Sequence, residues 1–155
     1  TRLASGVAVI KVGAATEVEM IEKKHRIDDA LEAVRSAQEE GVVPGGGISL
    51  LKSVSDIEIQ TDNEEQALGA KIVVEAVEEP LRQMAKNAGM SPDIVVKLVR
   101  DTSTFNHGMN FLTGDIVNLL ASGIIDPVKV TKCALQNAVS VASTIITTSH
   151  AIVNS

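Results

Sequence analysis

A glycine run after Pro44 is the feature of the sequence best suited to contact a ligand. Gly45, Gly46 and Gly47 follow this proline, and the apolar segment from Ile48 predicts the start of a helix. Glycine lacks a Cβ, so its backbone N–H groups can approach an anion, and a helix start adds partial positive charge. The pattern suits a phosphate group, although no Lys-Ser/Thr pair follows as in a P-loop. A tight turn or close helix packing is the alternative interpretation.

Aspartates at two places are candidates for chemistry. Asp28 and Asp29 are adjacent in a charged segment, and successive helical residues point about 100° apart, so the two cannot serve one site together. Asp29 therefore either faces solvent or acts alone on water or a metal, since an ordinary aspartate is ionised at neutral pH. Asp126 precedes Pro127, a pattern that favours a helix N-cap, and binding of ribose hydroxyls by its carboxylate is the alternative interpretation.

Asn110 lies in a segment rich in turn-forming residues, where asparagine is common for conformational reasons. Its side-chain amide is also able to bind a nucleotide base. The three histidines are scattered, and none has metal-ligand spacing with Cys133. We expect no structural metal, and we expect Cys133 to be an inert thiol on the buried face of a helix.

Hydrophobic periodicity predicts a mainly helical chain that positions these residues. The β-branched run Val7–Val12 predicts a short strand, and Glu17–Glu40 predicts an amphipathic helix ended by Gly41. Further helices are expected at residues 48–54, 64–87 with a kink at Pro80, 92–99 and 127–145, with a small β element near residues 104–112. The uncharged segment 133–155 contains too many polar residues for a membrane span, and we expect a buried helix there.

Composition narrows the class of protein. The 155 residues are 45% hydrophobic, which suits one globular domain. An aromatic content of 1% and a net charge of −6 argue against nucleic-acid binding by stacking or by a basic stripe. A single cysteine and the lack of a recognisable signal peptide favour a reducing, intracellular location. Because the chain begins at Thr1, close to an apolar segment, we expect a piece of a longer protein.

Four long sequence segments resemble the C-terminal part of a group I chaperonin of the GroEL type. They are SGVAVIKVGAATEVEM, EKKHRIDDALEAVRSAQEEGVVPGGG, PLRQMAKNAG and GIIDPVKVTKCALQNAVSVASTIITT, all in one register. The resemblance implies that residues 1–40 form the second half of the intermediate (hinge) domain. It implies that residues 41–155 form the second half of the equatorial ATP-binding domain, a mainly α helical bundle. The apical domain and the N-terminal equatorial half have no counterpart in this sequence.

By the same resemblance, the parent protein is an ATP-hydrolysing chaperone that encloses and folds unfolded proteins, using ATP with Mg²⁺ whose ligands lie mainly in the missing half. The implied site residues are Asp29 to orient the attacking water, Gly46 beside the nucleotide, Asn110, Phe111 and Leu112 near the adenine, and Asp126 on the ribose. Phe111 and Leu112 depart from the family's small alanines. Gly6 and Gly41 match hinge positions, and Ser5 replaces a second hinge glycine.

The implied partners are unfolded client proteins and a co-chaperonin lid, both through the missing apical domain, within a homo-oligomeric double ring. No nucleic acid or membrane is implied, and the bacterial cytoplasm or an organelle matrix is the expected location. We expect the chain alone to be inactive in hydrolysis. The alternative function is a non-catalytic helical module for interaction or assembly, because surfaces normally covered by the absent half would favour self-association.

Overall fold

The computed structural model describes residues 6–55 and 57–153, so Ser5 lies outside the described residues. The chain is mostly helical, which confirms the predicted fold class. In chain order the elements are α1 (Glu17–Glu40), β1 (Val42–Pro44), α2 (Ile48–Ser55), α3 (Glu64–Ala76), α4 (Glu79–Asn87), α5 (Pro92–Arg100), β2 (His107–Asn110), β3 (Asp115–Asn118), β4 (Ile125–Pro127) and α6 (Val128–Ile146).

The hydrophobic core lies among α2, α4, α5 and the β2–β3 hairpin. Its fully buried side chains include Ile48 and Leu51 from α2, Leu81 from α4 and Val99 from α5. Helices of eight or nine residues, such as these three, are not stable in isolation. Burying one apolar face, at about 1.5–3 kcal/mol for each large side chain, is therefore what stabilises them.

The four strands form two separate antiparallel pairs. β1 pairs with β4, with Val42 opposite Pro127, and this pairing joins the segment before the glycine run to the segment before α6. β2 and β3 form a hairpin with His107 opposite Asn118. The hairpin confirms the predicted small β element, although it extends further along the chain than residues 104–112.

The predicted strand at Val7–Val12 is wrong, because these residues have no regular secondary structure. A strand needs a neighbour to accept and donate its backbone hydrogen bonds. The described residues offer no such neighbour here, and Val7 is 93% exposed. The segment instead lies along α1, where Ile10 and Val12 line an apolar groove with Ile27.

The predicted helix at residues 64–87 is two helices. α3 ends at Ala76 and α4 begins at Glu79, so that Pro80 lies in the first turn of α4. Proline is tolerated there because its missing N–H has no helical acceptor to lose. A continuous helix would instead bring the Pro80 ring against the carbonyl of Ala76, and the break before Pro80 avoids that clash.

α6 is exposed rather than buried, which corrects the prediction for this segment. It has no buried residue, and Val141 and Ile146 are 60% and 79% exposed. Cys133 is a free, half-buried thiol. Among the elements that the structure describes, α1 and β4 pack most extensively against α6. In the part of the chain that the structure describes, no helix has the length and apolar character needed to span a bilayer.

Candidate functional site

The glycine run forms a tight turn between β1 and α2. The Gly45 N–H donates to the Ile124 carbonyl at 2.9 Å. Gly47 has φ +72°, and a Cβ at this position would lie 2.8 Å from the Met84 Cε and 3.0 Å from the Leu81 backbone nitrogen. Both the left-handed conformation and the close approach of α4 therefore require glycine at this position. Close packing, one of the two sequence interpretations, accounts for Gly47.

Gly46 is constrained by its conformation rather than by its neighbours. Its φ is +68°, while a Cβ would meet only ordinary contacts, 3.6 Å from the Leu119 side chain and 3.8 Å from the Met109 carbonyl. Among the described residues, the backbone N–H groups of Gly46 and Gly47 have no hydrogen-bond acceptor. These donors stand directly before α2, where the helix dipole also favours an anion.

Asn110 ends β2 and organises the turn of the hairpin. Its Oδ1 accepts a hydrogen bond from the Leu112 N–H at 3.0 Å, and its carbonyl accepts from the Gly114 N–H at 2.8 Å. The conformational role of this asparagine is thus confirmed. With Oδ1 occupied, the side-chain orientation is set, and Nδ2 makes no hydrogen bond to any described residue.

Phe111 and Leu112 point to different surroundings. Phe111 is half-buried and packs against the hydrophobic core, whereas Leu112 is 94% exposed. The large side chain of Phe111 is therefore accommodated at the edge of the hydrophobic core. Leu112 presents an apolar side chain to solvent beside Asn110.

Asp126 is not a helix cap, so the capping interpretation is wrong. It lies in β4 opposite Val43, α6 begins two residues later at Val128, and the N-cap position is occupied by Pro127 with no side-chain hydrogen bond. Membership of the strand pair holds Asp126 in extended backbone, away from the first N–H groups of α6. Its exposed carboxylate accepts no hydrogen bond within the described ranges.

Three of the predicted residues come from segments that meet around the glycine turn. Gly46 lies next to Met109, the neighbour of Asn110 along β2. Asp126 faces Val43, three residues before Gly46, across the β1–β4 pair. Residues far apart in the sequence thus present N–H donors, an amide and a carboxylate on neighbouring segments.

Asp29 is separate from this group. It is exposed on α1 and has no hydrogen-bond or ion-pair partner among residues 6–55 and 57–153. Asp28, its neighbour, lines the groove between α1 and the N-terminal segment, so the two carboxylates do face different surroundings. Asp29 precedes Gly41 by twelve positions, which corresponds to about 18 Å along a helix axis.

The C-terminal end of α1 is attached to α6 by two ion pairs. Lys129 donates to Glu39, and Lys132 donates to Glu40 at 2.6 Å. The hydrogen bond and the negative charge of Glu39 raise the pKa of Lys129. Immediately beyond these pairs, Gly41 has φ +83° and ψ −166°, a conformation open almost only to glycine. The backbone can therefore change direction at Gly41 with little steric obstruction.

Lys52 is a polar feature that sequence reasoning missed. Lys52 is largely buried, and its ammonium group donates to the Thr102 Oγ1 and to the Thr104 carbonyl. Burial lowers the pKa of Lys52. The only signal for it was a lone charge inside the apolar helix ISLLKSV. The described residues contain no cluster of three or more His, Cys, Asp or Glu side chains suited to a metal ion.

Comparison with known proteins assigns a family to this arrangement. One match among solved structures is described as "Crystal structure of group III chaperonin in the open state", with 29% sequence identity and a TM-score of 0.75. The alignment covers 91% of this chain and 30% of that one, so the chain spans less than a third of the structure it matches. The sequence model of the TCP-1/cpn60 chaperonin family matches residues 2–155. The chain therefore belongs to the TCP-1/cpn60 chaperonin family.

Proposed function

We propose that this chain is the C-terminal part of an ATP-hydrolysing chaperonin subunit. Residues 1–40 would form the second half of the intermediate domain, and residues 41–155 the second half of the equatorial domain. The observation that carries the proposal is the meeting of the glycine turn, the β2–β3 hairpin and β4. There the Gly46 N–H, Asn110 Nδ2 and the Asp126 carboxylate have no partner among the described residues. These groups complement the phosphates, base and ribose of a nucleotide.

Each of these residues has a distinct role in nucleotide binding. The N–H groups of Gly46 and Gly47 donate to phosphate oxygens at the start of α2. Asp126 accepts hydrogen bonds from ribose hydroxyls, and Asn110 donates from Nδ2 to the adenine while Leu112 N–H holds its Oδ1. Leu112 adds apolar contact with the base, whereas Phe111 contributes through its backbone because its ring packs on the core.

Asp29 is the proposed catalytic residue. Its carboxylate accepts a hydrogen bond from the attacking water and orients it toward the terminal phosphate. Because α1 carries Asp29 about three helical turns from Gly41, rotation at Gly41 brings it to the nucleotide, and hydrolysis then depends on domain closure. Mg²⁺ supplies charge stabilisation for phosphoryl transfer, and its ligands are expected mainly in segments without a counterpart here.

Assembled full-length protein tests the catalytic role. Asp29→Ala should lower the ATP turnover number by about 10²-fold or more, because a positioned carboxylate is lost, while the ATP dissociation constant stays within about twofold. Asp28→Ala is the matched control, since it removes the adjacent carboxylate from the groove on α1. Equal losses in both variants, or normal turnover in Asp29→Ala, would refute the role of Asp29.

The 155-residue chain tests nucleotide binding directly. In an NMR titration with ATP, the amide signals of residues 45–47, 108–112 and 126 should shift, and Asp126→Ala should weaken the binding. We expect no measurable hydrolysis by the chain alone. Shifts confined to other regions would contradict the proposed nucleotide site, and turnover comparable to that of intact chaperonin rings would contradict the need for the missing half.

We further propose that the parent protein is of group I, the GroEL type. The four sequence segments that resemble this group lie in one register between Ser5 and Thr148 and support the assignment. Under this assignment the parent protein forms a homo-oligomeric double ring, binds unfolded client proteins and uses a separate co-chaperonin lid. Its location is the bacterial cytoplasm or an organelle matrix. Electron microscopy of the full-length protein should show double rings, and client release should require a separate lid protein. Rings that close without a lid protein would contradict the group I assignment.

A non-catalytic interaction module is the second candidate function, and the exposed apolar face of α6 favours it. Ile145 and Ile146 are 67% and 79% exposed, which is unusual for a helix of an isolated domain. Such a module would self-associate and would release no heat on calorimetric titration with ATP. A well-folded monomer over a wide concentration range in sedimentation would refute this function.

A further inference from the structure

A polar pocket on the side of α2 shares no lining residue with the proposed nucleotide site. It encloses about 370 Å³ between the end of α2 and the loop that connects α5 to β2. The lining residues are Lys52, Ser55, Arg100, Thr102, Ser103, Thr104 and Phe105. They comprise two cations, four hydroxyl groups and one aromatic ring, without a carboxylate. In a chain of net charge −6, this is a local concentration of positive charge and hydrogen-bond donors.

The charge of Lys52 is not neutralised by any carboxylate that the structure describes. Its partners are the Thr102 hydroxyl and the Thr104 carbonyl, which satisfy two of its three N–H donors. Partial removal of this ammonium group from water, with no counter-ion among the described residues, carries a free-energy cost. Burial accordingly lowers the pKa of this lysine. An anion in the pocket would offset that cost.

Other donors at the pocket remain available for a ligand. The Ser103 hydroxyl makes no hydrogen bond to a described residue, and Arg100 uses only one of its terminal nitrogens, Nη2, in its pair with Glu78. The hydroxyls of Ser55 and Thr102 already donate to backbone carbonyls, and the Thr104 hydroxyl is hydrogen-bonded with His107 Nδ1 at 2.7 Å. The free donors therefore belong to Lys52, Arg100 and Ser103, a set that matches the several oxygens of a phosphate group.

We propose that this pocket binds a phosphate group, carried either by inorganic phosphate or by a small phosphate ester. Lys52 supplies a positive charge that no described carboxylate neutralises, Arg100 supplies N–H donors beside its pair with Glu78, and Ser103 donates a hydrogen bond. Phe105, which is 41% exposed, provides an apolar wall for the organic part of an ester. The site stands independently of the proposed nucleotide function.

An NMR titration of the 155-residue chain tests the site, with inorganic phosphate in one arm and phenyl phosphate in the other, at constant ionic strength set by sodium chloride. The amide signals of residues 102–105 should shift in both arms. Tighter binding of phenyl phosphate would identify an ester as the ligand, and equal binding would identify free phosphate. Equal shifts with chloride, or no shift at residues 102–105, would overturn the proposal.

Substitution of Lys52 tests whether its charge contributes to phosphate binding. Lys52→Met should weaken phosphate binding by about tenfold or more, because a charge-assisted hydrogen bond is lost. Lys86→Met is the same charge change at an exposed position of α4 that does not line the pocket. It should change the affinity by less than about twofold, since solvent and salt screen an exposed charge. Equal effects of the two substitutions would overturn the proposal.

One further substitution tests the site if Lys52→Met does not fold. Ser103→Ala removes a pocket hydroxyl that has no hydrogen-bond partner among the described residues, so it should leave the fold intact and weaken phosphate binding by several-fold. Unchanged phosphate binding in Ser103→Ala would contradict the site.

Discussion

α5 and α1 are both helices with apolar positions on one face, yet they differ completely in burial. The nine residues of α5 include three buried valines, Val95, Val96 and Val99, whereas the 24 residues of α1 include no buried residue. α5 packs against α4 and the hairpin, while α1 contacts mainly the first turns of α6 and β4. An apolar stripe in the sequence thus identifies the helix face that can be buried. Whether that face is buried depends on another element packing against it.

The two helices are consequently stabilised in different ways. α1 begins at an N-cap in which the Thr16 hydroxyl accepts from the Glu19 N–H, and it carries ion pairs such as Glu22–Arg26 along its surface. Such local contacts contribute only about 0.3–1 kcal/mol each. α5 shows no side-chain cap hydrogen bond. Its stability comes from burial, and the predictions below test this division.

Matched leucine substitutions should show the largest contrast. Leu81 is fully buried in α4, and Leu31 is 42% exposed on α1. Leu81→Ala should lower the free energy of unfolding by about 2–5 kcal/mol, because it opens a cavity in the core. Leu31→Ala should change it by about 0.5 kcal/mol or less, since it lies on an exposed face. Urea unfolding followed by circular dichroism measures both, and similar losses would mean that α1 is covered in solution.

Glycine substitutions should separate strain from packing. Gly41 and Gly47 both have positive φ, but a Cβ at Gly41 meets no atom within 4 Å, whereas one at Gly47 collides with α4. Gly41→Ala should therefore cost about 1–3 kcal/mol through backbone strain alone. Gly47→Ala should cost a further 1–3 kcal/mol or so from overpacking. Unfolding free energies measure the difference, and equal costs would show that Met84 moves aside freely.

Removal of the Lys129–Glu39 ion pair should have the smallest effect. Pairing raises the pKa of Lys129 above its ordinary value of 10.5, so its stabilisation is complete below pH 10.5 and is lost as the pH rises past the raised pKa. Lys129→Met should slightly lower the thermal midpoint at neutral pH, and added salt should remove the difference. Glu39→Gln is the matched change on α1. A difference that persists in high salt would show that packing, rather than charge, attaches α1 to α6.

Local signals predicted the local structure well. Gly41 ends α1 as expected, Ser91 and Pro92 stand at the start of α5, and the turn-rich stretch contains the hairpin. Failures occurred where the outcome depended on a distant segment. Val7–Val12 has strand propensity but no strand to pair with, and Asp126 resembles a cap but is held in a ladder by Val43.

The candidate site divides in the same way. Glycine flexibility and the helix start were apparent at Gly46, and the resemblance indicated Asn110 and Asp126. The Asn110 Oδ1–Leu112 hydrogen bond is likewise local, because it joins residues two positions apart. The close approach of α4 to Gly47, and the hydrogen bonds from Lys52 to Thr102 and Thr104, depend instead on residues far apart in the sequence. Neither composition nor spacing contains that information.

Periodicity, caps and turn residues by themselves determined that this chain is mainly helical and where most of its helices lie, because these properties follow from interactions between residues close in the sequence. The family was indicated separately, by the resemblance of long sequence segments in one register. Only the tertiary structure decided that α5 is buried while α1 and α6 are exposed, and that Gly46, Asn110 and Asp126 lie on neighbouring segments while Asp29 does not. Burial of a helix face and pairing of a strand both require a second segment. The sequence of the helix or strand alone does not specify which segment that is.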